Sequence, residues 1–357
     1  MRALLHWTIL IPVLAWALFF TGYINGHASV QAVAGILLML SVMSAVHHSE
    51  IIAHKVGEPY GTIILAVAIT IIEVSIIVSL MVAGGSETLT LARDTVYSAT
   101  MLILNGIVGL CLFIGGLKHH EQTFSKHSIT IALVSLVSII VFTMVVPTFT
   151  KTVEGPYYSP SQLVFVSFAC LAIYGCFIFA QTIRHKEYYL IAEEGNPAPV
   201  QEAASEKPSL TLSLVFLLVS LIIVVLLAKT LSPTIEKVVL SYNLPKTLVG
   251  VIIAGIILLP EGIAAINAAW KNKLQTSLNL ALGSALASIG LTIPVVSIVC
   301  YVYDMKMVLG LDYTSIILLA LSTFTVMLSL NTGRSNVVYG VVLLVNLMAF
   351  IYLTIQP

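Results

Sequence analysis

Two glutamates stand where a carboxylate is least stable. Glu73 lies at the centre of the apolar run IILAVAITIIEVSIIVSLMVA (63–83), and Glu261 lies inside TLVGVIIAGIILLPEGIAAI (247–266). An ionised carboxylate at bilayer mid-depth costs roughly 3 kcal/mol on insertion scales, so each acid needs a proton or a cation beside it. Each also follows an earlier glutamate, Glu50 by 23 residues in the first case and Glu236 by 25 in the second. The stretches 49–80 and 235–266 share one plan: a glutamate, an amphipathic turn, a short break, then an apolar run carrying the second acid. Two carboxylates meeting at mid-membrane are neutralised either by protons or by a shared cation. A site that alternates between those states exchanges protons for cations, so Glu73 and Glu261 are the expected metal-ion and proton ligands.

Other oxygens fall at matching places. Thr70 is three residues before Glu73, on the same helix face. Pro260 has no N–H, so the carbonyl of Ile256 lacks its usual helical donor and is free to face an ion. The following apolar runs place Asn105 and Gly106 mid-span, and Ser277, Ser284, Ser288 and Thr292 along one stripe. An amide in lipid requires partners, and calcium takes about 6–8 oxygen ligands of this kind. Sodium or potassium would accept much the same set, so the residues alone leave the cation open. Glu50 and Glu236, at the expected membrane edges, are candidate accessory or gating groups together with His47 and His54. The cluster SAVHHSEIIAHKVGE (44–58) supports a rival reading, in which His47, Glu50 and His54 share a helix face and hold zinc in an intramembrane metal hydrolase.

The elements that must position these residues are membrane helices. Of 357 residues, 59% are hydrophobic and only 9% charged, with a mean hydropathy of +1.04, against about 25% charged in soluble domains. Net charge is zero, which gives no electrostatic reason to expect nucleic acid as a partner. The expected partners are the lipid bilayer and the transported ions. Segments of about 20 apolar residues span a bilayer, and they occur near 7–24, 28–46, 60–83, 94–116, 128–147, 161–182, 210–231, 246–269, 276–302, 308–330 and 335–355. The chain therefore reads as an all-α polytopic membrane protein of about eleven transmembrane helices. It divides into a leading helix (1–27), a five-helix repeat (28–182), a charged linker (183–209) and a second five-helix repeat (210–357). Five is odd, so the two copies insert in opposite orientations, as in secondary transporters with midplane sites. With the N-terminus cytoplasmic, ten Lys and Arg lie inside and six outside, in the sense of the positive-inside rule. The C-terminus is then external, the linker is cytoplasmic, and eight of nine histidines face the cytoplasm, where they could sense pH. The four cysteines fall in apolar runs without a C-x-x-C pair and read as small core residues.

The stretches GEPYGTIILAVAITIIEVSIIVSLMVAGG, ARDTVYSATMLILNGIVGLCLFIGGLKHHEQ and LPEGIAAINAAWKNKLQTSLNLALGSALASIGLTIPVVSI resemble the ChaA-type branch of the cation/proton exchangers, within the calcium:cation antiporter superfamily. The resemblance runs through nearly the whole chain. It implies a leading helix plus two inverted five-helix halves, location in the bacterial plasma membrane, and export of cytoplasmic calcium driven by proton entry. It implies no cofactor and no catalysis of a chemical reaction. For this branch it also implies sodium or potassium exchange as an alternative. The signature G-N-x-x-E of the family matches at Glu73 and Glu261, while its asparagine positions hold Thr70 and Leu258. The paired motif on the next helices resembles Asn105 in the first half and Gly283-Ser284 with Ser288 in the second.

Overall fold

The computed structural model describes residues 2–57, 60–84, 89–185, 188, 210–242, 245, 247–303 and 305–356. Most of the linker, 186–187 and 189–209, lies outside them. Eleven helices follow one another: α1 Arg2–Phe20, α2 Ala28–Val56, α3 Tyr60–Gly84, α4 Leu91–His119, α5 Lys126–Phe149, α6 Pro160–Arg184, α7 Leu210–Ser241, α8 Thr247–Trp270, α9 Leu274–Val302, α10 Tyr313–Leu330 and α11 Val337–Ile355. Among the described residues the β-structure is one isolated bridge, Thr123 to Arg334. In a bilayer each backbone N–H and C=O must find its partner within the segment, which is why apolar runs of this length become helices.

The starts and stops have local causes. Ser159 closes a capping box with Gln162, and Pro160 opens α6, where the N–H that proline lacks would have no helical partner anyway. The Asp312 and Asn336 side chains cap α10 and α11 by accepting from the N–H groups of Ser315 and Val338. Two expected boundaries move. The segment carrying His47, His48, Glu50 and His54 is a continuation of α2, because nothing breaks the helix before Gly57, whose φ of 78° suits glycine. Likewise α7 continues through Pro233 to Ser241, so Glu236 lies on a helix rather than at a break. The side chains of His54 and Glu236 lie outside the described residues.

Side-chain contacts give the helix directions. Ser44 on α2 meets Ser220 on α7, and His48 stacks on Phe216; the numbers rise on one helix as they fall on the other, so α2 and α7 are antiparallel. α4 and α8 are parallel, since Gly250 lies against Asp94 and Thr95 while Gly262 lies against Ile107. α4 and α10 are parallel too, with Tyr97 bonded to Ser315 and Asn105 to Ser322. Exchanging helices of 2–6 with their counterparts in 7–11 maps several of the contacts onto one another. The contact of α3 with α9 mirrors that of α8 with α4, and α4 with α11 mirrors α9 with α6. The packing is that of two interdigitated halves, consistent with inverted repeats.

The α4–α11 seam is the closest approach. A Cβ on Gly116 would fall 2.9 Å from the backbone nitrogen of Val337, and one on Gly340 would strike the backbone of Phe113 and Gly109. Small residues allow such close backbones where lipid offers no hydrophobic driving force. Three of the four cysteines are buried as expected; Cys176 is exposed on α6. Nothing bulky fits the seam, so Gly340→Leu should lower the thermal unfolding midpoint of the purified protein, by overpacking worth about 1–3 kcal/mol. Gly175→Ala, where an added Cβ meets nothing within 4 Å, should leave it unchanged.

Candidate cation-binding site

The two mid-helix acids come together from helices of different halves. Glu73 is on α3, buried at 3% exposure, and its Oε1 accepts a 2.7 Å hydrogen bond from Ser288 Oγ on α9. Glu261 is on α8, 8% exposed, and both of its carboxylate oxygens lack a hydrogen-bond partner among the described residues. The carboxylate of Glu261 is within electrostatic reach of those of Glu73 and Glu50. The pair is thus unequal: one acid is held by a hydroxyl donor, while both oxygens of the other are without a hydrogen-bond partner.

The surrounding oxygens are arranged by local irregularities. Residues Leu102–Ile107 of α4 form a π-helical segment, a feature that recurs at functional sites because its extra residue turns one side chain off the regular stripe. Asn105 sits in it, fully buried. Its Nδ2 donates to Ser322 Oγ of α10 at 2.9 Å and to the Met101 carbonyl at 3.3 Å, which leaves Oδ1 unpartnered. With both amide hydrogens committed, Asn105 offers only an acceptor. Thr70 is buried one turn before Glu73. Ser284 is half-buried one turn before Ser288 on α9, and Ile256 is half-buried on α8, four residues before Pro260, which stands inside the continuous helix. Thr292, one turn beyond Ser288, is fully buried with its hydroxyl unbonded.

Of the histidine cluster, the side chain of His54 lies outside the described residues, and the other two imidazoles lie in aromatic contacts. His47 lies beside Trp7 and His48, and His48 stacks on Phe216 with neither ring nitrogen hydrogen-bonded. These rings pack the α1–α2–α7 seam. Among the described residues no group of three or more His, Cys, Asp or Glu is placed to hold a metal by itself.

Two features escaped the sequence reading. Ser322, the partner of Asn105, is one serine among many in an apolar span and carries no distinguishing signal. The second is a polar mouth at the N-terminal ends of α4 and α10. There Arg93 binds Asp94 at 2.7 Å and donates to the Gly310 carbonyl at 3.0 Å. Burial opposes ionisation of Asp312, but the bonds donated by Ser315 and the nearby Arg93 guanidinium outweigh it and hold the carboxyl below its usual range. A cavity of about 250 Å³ opens here, lined by Asp94, Tyr97, Ser98, Asp312 and Leu318 among others. Ser98 is two helical turns above Asn105 on α4, and Leu318 one turn above Ser322 on α10, so the cavity lies over the π-segment. The visible signal was the charged pair Arg93-Asp94 at a span's edge.

A bundle of this kind, with acids from antiparallel helices at its centre, has known counterparts. The sodium/calcium exchanger protein family matches residues 27–183 and 212–356, and the chain belongs to that family. It is 40% identical to the y4hA protein of Sinorhizobium fredii over 90% of its own length and 87% of the relative's. It is 30% identical to the sodium-potassium/proton antiporter ChaA of Escherichia coli, over 93% and 92% respectively. Its fold is that of the H+/Ca2+ exchanger CAX, with a TM-score of 0.73 at 15% identity, covering 97% of this chain and 87% of the other. The protein is therefore a multi-pass membrane exchanger of cations and not an enzyme, which sets aside the hydrolase reading.

The geometry assigns a measurable role to one hydroxyl. Ser288→Ala removes the donor that orients Glu73, and hydrogen bonds to charged groups are worth about 1.5–3 kcal/mol. Apparent cation affinity in proteoliposomes should fall about ten-fold or more. Ser297→Ala, whose hydroxyl bonds only its own helix and Met307, should transport as the unaltered protein does.

Proposed function

We propose that the chain exchanges cytoplasmic calcium for external protons across the bacterial plasma membrane, with Glu73 and Glu261 as the shared site. The observation that carries this reading is the pair itself: two buried carboxylates on antiparallel helices, within reach of each other, one with both oxygens open. Two carboxylates carry the charge of one calcium ion, or take up two protons, so either load brings the site near neutrality. When the cation leaves, at least one acid binds a proton, because two bare charges in a low dielectric repel and are poorly solvated. That mutual exclusion couples the fluxes. Asn105 Oδ1, the Ser284 and Thr70 hydroxyls and the Ile256 carbonyl complete the ligand set, and Glu50 stands as an accessory acid on the cytoplasmic side. The N-terminus is cytoplasmic, the C-terminus external, and the linker is a solvated tether between two repeats of five helices related by a twofold axis in the membrane plane.

A second reading, sodium or potassium in place of calcium, has its own support. The E. coli relative is named a sodium-potassium/proton antiporter, and Thr70 and Leu258 stand where an extra pair of amide oxygens would favour calcium. A relative from Bacillus subtilis, 24% identical over 67% of the chain, is named a Ca(2+)/H(+) antiporter. Flux into inverted vesicles under an imposed pH gradient, measured separately with calcium, sodium and potassium, separates the two readings.

Glu73→Gln and Glu261→Gln keep size and hydrogen bonding but remove the titrating charge. Each should abolish exchange in that vesicle assay while the protein still inserts and folds. Glu50→Gln and Glu236→Gln should only weaken it. Apparent affinity of the unaltered protein for the cation should fall as pH drops on the binding side, because protons compete for the same oxygens. Proton-coupled flux at near-normal rate in Glu73→Gln would refute the mechanism.

A further inference from the structure

A groove between α1, the start of α2 and the last turns of α7 belongs to no part of the exchange site. It encloses about 830 Å³ and is walled by Phe19 of α1, Gln31 of α2, and Leu226, Lys229, Thr234 and Lys237 of α7, among others. Lys229 and Lys237 are exposed, and neither has an ion-pair partner among the described residues. No acid is among the described residues that line the groove. Eight helical residues separate the two lysines, about 12 Å along the axis, and their flexible stems let both ammoniums reach one headgroup layer.

Beyond this cationic mouth, α7 carries an exposed apolar stripe that begins at the groove's own Leu226. Leu226, Ile222 and Leu218 follow one another at four-residue spacing on one face of α7, and Ile222 and Leu218 are each 52% exposed. The opposite wall ends in an aromatic cluster, where Trp16 stacks on Phe20 and both rings meet Phe19 edge-on. Aromatic clusters at helix ends mark the membrane–water interface. Basic pockets between helices at that depth recognise anionic headgroups.

We propose that this groove binds one anionic phospholipid in the leaflet where α7 ends. Its phosphate lies between Lys229 and Lys237, and an acyl chain lies along Leu226, Ile222 and Leu218. The lipid then joins α1 and α2 to α7 across the seam between the leading helix and the two halves.

Native mass spectrometry of the purified full chain tests this, with phosphatidylglycerol, phosphatidylcholine and water-soluble glycerol 3-phosphate as probes. One phosphatidylglycerol should bind more tightly than phosphatidylcholine. Its affinity should fall roughly five-fold in Lys229→Gln or Lys237→Gln and about thirty-fold with both changes, while Lys→Arg at both positions should retain it. Phosphatidylglycerol should also raise the thermal midpoint of the unaltered chain but not of the doubly changed one. Equal binding of phosphatidylcholine, or undiminished phosphatidylglycerol binding in the Lys→Gln variants, would overturn the proposal. Glycerol 3-phosphate protecting against heat as well as the lipid does would show a soluble-anion site and overturn the lipid assignment. If the doubly changed chain does not purify folded, the single variants decide by the same criterion.

Discussion

Burying Glu73 and Glu261 inside apolar helices places two water-seeking groups where little water reaches, and their mutual repulsion adds to that penalty. The fold answers with pieces drawn from far along the chain. Ser288 reaches Glu73 from α9, α4 lays its π-segment against α8, and α10 fixes the amide of Asn105. None of these partners is a fixed positive charge, so the compensation they supply is polar but neutral, as the proposed exchange of protons for cations requires.

The architecture follows from that need. In the proposed pair of inverted five-helix units, each unit carries one acid, and the two acids come to one depth from opposite sides. Interdigitation makes the arrangement rigid where it must be. α4 is packed against α11 through glycines, and Gln122 and Ser335 exchange backbone and side-chain bonds at 2.8 Å between the α4–α5 and α10–α11 connections. Gln122 also donates to the Ala269 carbonyl and to Asn272 at the end of α8. At that end of the bundle the two halves are joined by directional bonds as well as by side-chain packing.

Much of this was legible in the sequence. Eleven apolar runs gave eleven helices, because in a membrane length and apolarity nearly suffice. The central acids stood out because a carboxylate in such a run is costly enough to need a reason. Helix ends were harder to read: α2 and α7 run on past the expected breaks, since polar residues do not stop a helix unless glycine or a turn does. Partners at long range were illegible. Nothing in LLALSTFTV marks Ser322 as the residue that commits Asn105, and a π-segment has no sequence signature in the run LILNGI. Helical spacing aligned His47, Glu50 and His54 as a ligand set; what it could not show is that His47 and His48 lie in aromatic contact with Trp7 and Phe216.

The interleaving of the halves also bears on how the protein is made. Glu73 waits for a donor 215 residues later in the chain, and Asn105 for one 217 residues later. At synthesis rates of about 5–20 residues per second, that delay is roughly 10–40 s. Through it, the earlier helices sit in the membrane with a carboxylate and an amide that lack their eventual neighbours. Burial without a donor disfavours the charged carboxylate, so on the proposed mechanism insertion itself favours Glu73 in its protonated form until its partner helix arrives.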